Sequence, residues 1–324
     1  MRCPSTCASP SAWSARTRAS SRPWKRRWPG NSVAFRLDKI VVFGVGLIGG
    51  SFALALKQAG GAGEVVGIGR SRATLDEALR LGLIDRIGAC DAATLKDADL
   101  VLLATPVGQM PALMQAMAPH LGPRTAITDG GSTKSDVVAA LRQCLPKHLS
   151  HFVPAHPIAG AENSGAAAAK ADLYVDRKVV LTPLPENAPE AVERVRAAWA
   201  ACGATVHEMA PARHDQVFAA VSHLPHLLSF ALVHDLAQRE NREEFFRFAA
   251  SGFRDFTRIA ASHPEMWRDI CIANRTALLG ELEQYQRQLD ELRRALLAGD
   301  AAALEAVFAE ARTVRRAWAE GKLS

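Results

Sequence analysis

His156 stands where a proton-handling group would be useful. It opens the segment His156-Pro157-Ile158-Ala159-Gly160-Ala161-Glu162, directly after an apolar run at Phe152–Ala155. An imidazole of near-neutral pKa can draw on a hydroxyl proton while a hydride leaves the same carbon. A lone histidine is often structural; the strand-end position and the Pro-x-Ala-Gly turn favour the chemical role. His223 and His226, in Ser222-His223-Leu224-Pro225-His226, are three apart and share a helical face if the helix tolerates Pro225. A metal pair would need a third ligand beside them, and the local sequence supplies none, so no metal is expected. Arg254 and Arg258, in Gly252-Phe253-Arg254-Asp255-Phe256-Thr257-Arg258, are four apart and stack on one face. Two guanidiniums there suit a dicarboxylate. They read equally well as a solvated charged face with Asp255 as partner.

The group that would take a hydride is indicated by Gly44-Val45-Gly46-Leu47-Ile48-Gly49, which follows the apolar run Ile40-Val41-Val42-Phe43 and precedes a helical pattern. In that setting Gly44 permits a tight turn, Gly46 lets the backbone approach a pyrophosphate, and Gly49 lets helix and strand pack closely. Leu47 and Ile48 complete the loop as cofactor-binding candidates, and the N-terminus of the helix that follows offers unpaired N–H groups to the phosphates. A dinucleotide cofactor, NAD or NADP, is expected. Strands that serve NAD usually end in a carboxylate for the ribose hydroxyls. The second strand here ends in Gly69-Arg70-Ser71-Arg72. With no carboxylate and two arginines, NADP or dual use is favoured; the alternative is that both arginines are solvated loop charges.

These residues need a frame. Apolar runs at Lys39–Phe43, Glu64–Ile68, Asp99–Ala104 (followed by Thr105-Pro106), Ala126–Asp129, Phe152–Ala155, Lys178–Thr182 and Thr205–Glu208 read as strands. Helical spacing between them, at Gly49–Gln58, Thr74–Leu81 and Ser135–Gln143, implies a parallel sheet covered on both faces. The fourth strand leads into Asp129-Gly130-Gly131-Ser132-Thr133-Lys134, at the strand ends where open α/β sheets bind ligands. After Ala210 strand patterns stop. Asp215–Leu236 is apolar on most faces and predicts a buried helix; Glu265–Leu297 and Ala302–Trp318 predict long helices. The expected fold is α/β: a Rossmann-like parallel-sheet domain over 37–210, then an all-α helical domain over 211–324. A helix as apolar as Asp215–Leu236 in so small a domain predicts a homodimer that covers it.

Composition narrows the classes. The chain has 324 residues, room for two domains. Its net charge of +6 arises from the head: eight basic and no acidic residues precede Leu37, so the remainder carries 6 − 8 = −2. No basic surface for nucleic acid is indicated. Six scattered cysteines suggest no disulfide framework and a reducing, cytoplasmic compartment. No apolar run reaches the roughly 18 residues of a membrane helix. The Arg- and Ser-rich residues 1–36 read as a start site placed too far upstream, with an organellar transit segment as the second reading.

Taken together, the motifs resemble the prephenate dehydrogenase family, which includes arogenate and cyclohexadienyl dehydrogenases. The resemblance covers nearly all of Lys39–Trp318. It rests on the glycine loop, Ala104-Thr105-Pro106-Val107, the Gly-Ser-Thr-Lys turn, His-Pro-Ile-Ala-Gly, Ser-His-Leu-Pro-His and Gly-Phe-Arg-Asp-Phe-Thr-Arg-Ile-Ala. It implies a 6-phosphogluconate dehydrogenase-like arrangement of domains, and oxidative decarboxylation of prephenate or arogenate. It also implies that His156 accepts a hydrogen bond from the ring hydroxyl and that Ser132 helps to place that histidine, the hydroxyl and the nicotinamide. Arg258 then binds a substrate carboxylate and Glu162 gates the site. His223, His226, Arg254, Asp255 and Trp267 match its wall and support positions; Arg254 stands where some members carry lysine. The helices end shortly after Trp318, so no fused regulatory domain is expected there, and tyrosine would inhibit at the substrate site itself. The rival readings are a 3-hydroxyacid dehydrogenase of the same arrangement, which would rely on a catalytic lysine, and a non-catalytic NADP sensor.

Overall fold

A computed structural model describes residues 35–160 and 163–322. The head, residues 1–34, and Glu162 fall outside the described residues. The first half runs β1 (Leu37–Phe43), α1 (Leu47–Gln58), β2 (Ala62–Ile68), α2 (Arg72–Arg80), β3 (Arg86–Ile87), α3 (Ala92–Leu95), β4 (Leu100–Leu103), α4 (Met110–Met117), β5 (Ala126–Asp129), α5 (Ser135–Cys144), β6 (Phe152–Val153), β7 (Ala155–Pro157), β8 (Lys178–Leu181), α6 (Pro189–Ala201) and β9 (Thr205–Glu208). β1 to β6 form one parallel sheet in the order β3-β2-β1-β4-β5-β6. The order reverses between β1 and β4, and the crevice beyond their C-terminal ends is where such sheets bind ligands.

Alternation along β1 builds two cores. Ile40 and Val42 join Phe52, Leu56, Tyr174 and Trp199 on one face, and Val41 and Phe43 join Met110, Met114, Val137 and Leu141 on the other. All four β1 residues are essentially inaccessible to water.

The expectation of a single sheet is corrected. β7, β8 and β9 form a separate sheet, in which β7 runs antiparallel to β8 with His156 opposite Val180. The expected strand Phe152–Ala155 is split at Pro154. A proline has no N–H to continue a ladder. Beyond it the main chain of Ala155 is taken over by side chains: its N–H donates to Asp129 Oδ1 at 3.0 Å and its carbonyl accepts from Lys134 Nζ at 2.6 Å. His156 therefore lies on a strand of the second sheet rather than at the end of the first.

The second half is helical: α7 (Pro211–Phe218), a π-helical turn at Ala219–His223, α8 (Leu224–Ala237), α9 (Arg242–Phe248), α10 (Ser251–Thr257), α11 (Pro264–Ala273), α12 (Arg275–Ala298) and α13 (Ala301–Ala319). The wide turn precedes Pro225, which would clash with the carbonyl four residues back in a regular helix. The expected helix Glu265–Leu297 is two helices, broken at Asn274. The expected burial of Asp215–Leu236 is also corrected: in α8 only Leu224 and Ser229 are buried. The joined run Pro211–Ala237 is moreover long and apolar enough to cross a bilayer, contrary to the reading of the sequence. Its first part carries His214, Asp215 and His223, buried and hydrogen-bonded to other elements of the fold.

Candidate active site

The glycine loop has the geometry its sequence implies. Gly44 has φ +87°, and a Cβ on it would lie 2.5 Å from the Ala104 carbonyl oxygen. A Cβ on Gly49 would strike the Gly44 carbonyl oxygen and lie 2.7 Å from Val42 Cγ1. A Cβ on Gly46, by contrast, would meet nothing within 4 Å. The first two glycines answer to the fold and the third leaves room beside the start of α1. Leu47 and Ile48 form the first turn of that helix, with Gly46 as N-cap. Tyr174 donates to the Ile48 carbonyl at 2.6 Å, and the Lys170 N–H donates to Ser51 Oγ at 2.8 Å, so a loop of the same half holds the turn in place. Thr105 flanks Gly44, and its buried Oγ1 has no partner among the described residues. An open cradle, free helical N–H groups and an orphaned hydroxyl fit a dinucleotide.

Ser71 is committed to capping α2, accepting from the Thr74 N–H at 3.2 Å. Arg72 pairs with Asp76 on the same helix at 2.9 Å. Arg70 instead reaches Gln109, whose amide oxygen, turned toward it, accepts from the guanidinium at 3.0 and 3.2 Å. Of the two arginines, Arg70 is the one held at the crevice, next to the loop that carries Thr105 and Pro106.

The turn after β5 joins the cofactor loop to His156. A Cβ on Gly130 would lie 3.1 Å from Ile48 Cγ2 and 3.8 Å from Pro157 Cγ. Ser132, half-buried, sits in this turn. Both ends of the turn are anchored by buried charge. Asp129 and Lys134 form a fully buried ion pair, and Asp129 Oδ2 also accepts from the Gly131 N–H at 2.8 Å. Asp215, from α7, accepts from the N–H groups of Lys134 and Ser135, each at 2.8 Å.

Asp215 also meets His214 Nδ1 at 2.9 Å, and His214 Nε2 lies 2.8 Å from His156 Nδ1. His156 is only 9% exposed, with Phe218 against its ring. Burial, with the nearby His214, Lys134 and His223, pushes its pKa well below the usual histidine range, so it is neutral at pH 7. Burial also lowers His214. For Asp215 burial acts upward, but the hydrogen bonds from His214, Ser135 and Lys134 outweigh it and hold the carboxyl below its usual value. The sequence analysis assigned no role to His214, Asp215, Lys134, Asp129 or Asn274. The visible signal was a His-Asp pair at the head of an otherwise apolar helix.

Of the other expected residues, His223, His226 and Trp267 meet one another. His226 stacks on Trp267 at 3.6 Å between ring centroids, and His223 meets the same ring edge-on at 6.2 Å. His226 Nδ1 donates to the Ser222 carbonyl at 2.9 Å. Burial lowers its pKa and Arg258 lowers it further, which places Arg258 within electrostatic reach. Asn274 Nδ2 donates to the Asp215 carbonyl at 2.8 Å and lies 3.0 Å from His223 Nδ1. A carbonyl can only accept, so that amide nitrogen is correctly placed and its second hydrogen faces His223. His223 Nε2 then carries the ring proton, and the main chain of Ser132 is its hydrogen-bonding neighbour. Burial lowers the His223 pKa to about 4. Arg254 and Arg258 line a cleft of about 370 Å³ with Phe253, Thr257 and Ala261. Asp255 is exposed on the same helix. Among the described residues no group of three His, Cys, Asp or Glu side chains could hold a metal.

A six-stranded parallel sheet with a glycine loop at its switch point, a turn after β5 that packs between that loop and the strand of the buried His156, and a helical second half define a dinucleotide-dependent dehydrogenase. Residues 52–208 match the family model for the prephenate dehydrogenase nucleotide-binding domain, and residues 210–310 that for the prephenate dehydrogenase dimerization domain. The chain belongs to the prephenate dehydrogenase family. It is 39% identical over 281 residues to a prephenate dehydrogenase of Bacillus subtilis, covering 86% of this chain and 75% of the relative. It is 36% identical over 280 residues to a cyclohexadienyl dehydrogenase of Zymomonas mobilis, covering 86% and 95%. The solved structure of an Aquifex aeolicus prephenate dehydrogenase, in complex with hydroxyphenyl propionate and NAD+, is similar with TM-score 0.80 and 33% identity, over 88% of this chain and 99% of that one.

Proposed function

We propose that this enzyme converts prephenate, arogenate or both to 4-hydroxyphenylpyruvate or tyrosine by oxidative decarboxylation. The observation that carries the reading is the packing of the Gly130 turn between Ile48 of the glycine loop and Pro157, the neighbour of His156 on its strand. That strand carries a buried imidazole whose pKa is held well below the usual histidine range, which supports a role as hydrogen-bond acceptor next to the cofactor. When bound, the nicotinamide supplies an acceptor for the ring hydride. One substrate carboxylate leaves as CO2, the ring becomes aromatic and its hydroxyl survives in the product. The protein therefore has mainly to orient the substrate and polarise that hydroxyl.

His156 accepts the hydroxyl hydrogen bond, and Ser132, in the turn beside it, helps to place the hydroxyl and the nicotinamide. Arg258 binds a substrate carboxylate, with Arg254, Asp255, His226, His223 and Trp267 completing the wall; Glu162 is assigned the gate. Gly44, Gly46, Leu47, Ile48, Gly49, Thr105 and Pro106 hold the dinucleotide. Arg70, with Ser71 beside it, supports NADP or dual use, because its guanidinium reaches Gln109 and the second strand ends without a carboxylate to repel a 2′-phosphate. A homodimer is supported by the match to a dimerization domain and by the apolar surface of the helices. Tyrosine is proposed to inhibit by occupying the substrate site.

The test is to supply prephenate and arogenate with NAD and with NADP and follow reduced nicotinamide. Failure to reduce either cofactor with either substrate overturns the reading. His156→Asn should lower kcat by about 10²–10⁴, the range for a general base. Arg258→Ala should chiefly raise KM, by the equivalent of about 2–5 kcal/mol. An unchanged kcat in the first variant, or an unchanged KM in the second, removes that residue's role.

A further inference from the structure

Asp215 does more at this site than cap α5. While ionised it can only accept, at both oxygens. Since Oδ1 faces His214 Nδ1 at 2.9 Å, that nitrogen must carry a proton. A neutral imidazole has one proton, so His214 Nε2 is an acceptor. It lies 2.8 Å from His156 Nδ1, which must then be the donor. The nitrogen of His156 left bare is Nε2.

We propose that Asp215 and His214 are positioning residues which, through this buried hydrogen-bond chain, hold His156 with its proton on Nδ1 and its Nε2 lone pair free for the substrate hydroxyl. The reverse order of protons would turn the lone pair of His214 Nδ1 toward a carboxylate. A doubly protonated His214 would satisfy both neighbours, but it would place a charge on a side chain with no solvent access, beside the buried Lys134 ammonium. In a site this dry each bond of the chain polarises the next. As Nε2 draws on the substrate hydroxyl, the growing positive charge on His156 is shared through His214 with the Asp215 carboxylate. Asp215 is itself held by two main-chain N–H groups of the turn that carries Ser132. One carboxylate thus sets both the protonation state of His156 and the end of the Ser132 turn.

The inference rests on the proposed reaction for its meaning, and its first test is independent of any substrate. Nitrogen NMR of the imidazole-labelled full chain at neutral pH, with His156→Asn to assign its signals, should show His156 protonated at Nδ1 and bare at Nε2. A proton on Nε2 overturns the proposal. The second test is kinetic. His214→Leu removes the acceptor and should lower kcat about 100-fold or more, with KM and dinucleotide affinity held within about threefold. His214→Gln offers an amide oxygen to His156 Nδ1 and should recover about tenfold of that loss. Full activity in the leucine variant, or equal loss in both variants, gives His214 a packing role only and overturns the proposal. A wild-type enzyme inactive on both cyclohexadienyl substrates would instead count against the proposed reaction, with the NMR result still deciding the tautomer.

Discussion

The two halves of the molecule are built to different standards of closure. The sheet half buries both faces of its strands and leaves few large apolar side chains in water, Leu79 and Leu81 among them. Even its buried charges are matched, with Asp129 and Lys134 satisfying each other and the main chain of Ala155. The helical half contributes only Phe218, Ala219, Leu224, Trp267, Ile270 and Leu278 to the buried apolar core of the described residues. It leaves Ile272, Leu297 and Phe308 more than half exposed. The difference teaches where each half finds its stability. A sheet wrapped by helices closes on itself, whereas this helical half packs its polar inner side on the sheet half and turns apolar side chains outward. That is what a domain completed by a second copy looks like.

The contrast can be broken first at the ion pair. Asp129→Ala leaves the Lys134 ammonium buried without its partner and should cost about 3–5 kcal/mol of unfolding free energy in a denaturant titration. Replacing both residues with apolar ones of similar volume should restore much of it; if Asp129→Ala is neutral, the self-sufficiency of the sheet half does not rest on this pair. Acid should strain the seam between the halves next. A histidine whose folded pKa is depressed takes its proton first in the unfolded chain. Stability is therefore complete above the ordinary histidine pKa of 6.5 and is lost as pH falls from there toward 4. His223 alone accounts for about 3 kcal/mol over that window, and His156 and His214 act in the same direction. Comparing denaturant midpoints at neutral pH and near pH 4, in wild type and His223→Gln, checks this; equal slopes would remove His223 from the account.

A smaller effect is expected on the outer helical surface. Phe308→Ser should weaken self-association by about 1.5–3 kcal/mol for each side chain withdrawn from a contact, seen as dissociation in sedimentation at low concentration. It should leave the unfolding of the sheet half unaltered. Smallest is Arg70→Ser, which should reduce preference for NADP over NAD in kcat/KM about tenfold, the worth of one charge-assisted hydrogen bond. An unaltered ratio would return Arg70 to the solvated charges.

Much of the sheet half was legible because its signals are local. Gly44 and Gly49 stand where a Cβ would strike backbone or core, and the strands are uninterrupted apolar runs. Phe152–Ala155 misled because periodicity does not say which strand a residue pairs with, and Pro154 passes it from one sheet to another. Asp215–Leu236 misled for a related reason. An apolar helix reads as buried whether the cover comes from its own chain or from a partner, and α8 lacks the former. The members of the hydrogen-bond chain stood in plain view, but a separation of 58 residues between His156 and His214 carries no local trace.

The sequence by itself determined the cofactor loop, the class of reaction and the residue types that serve it, since each depends on short-range spacing and on side-chain chemistry. Only the tertiary structure decided which nitrogen of His156 is engaged by His214 and which is left bare. That choice depends on a carboxylate and an imidazole brought from a helix of the other half. Protons settle where burial and hydrogen-bond partners jointly place them, and those partners are neighbours in space alone.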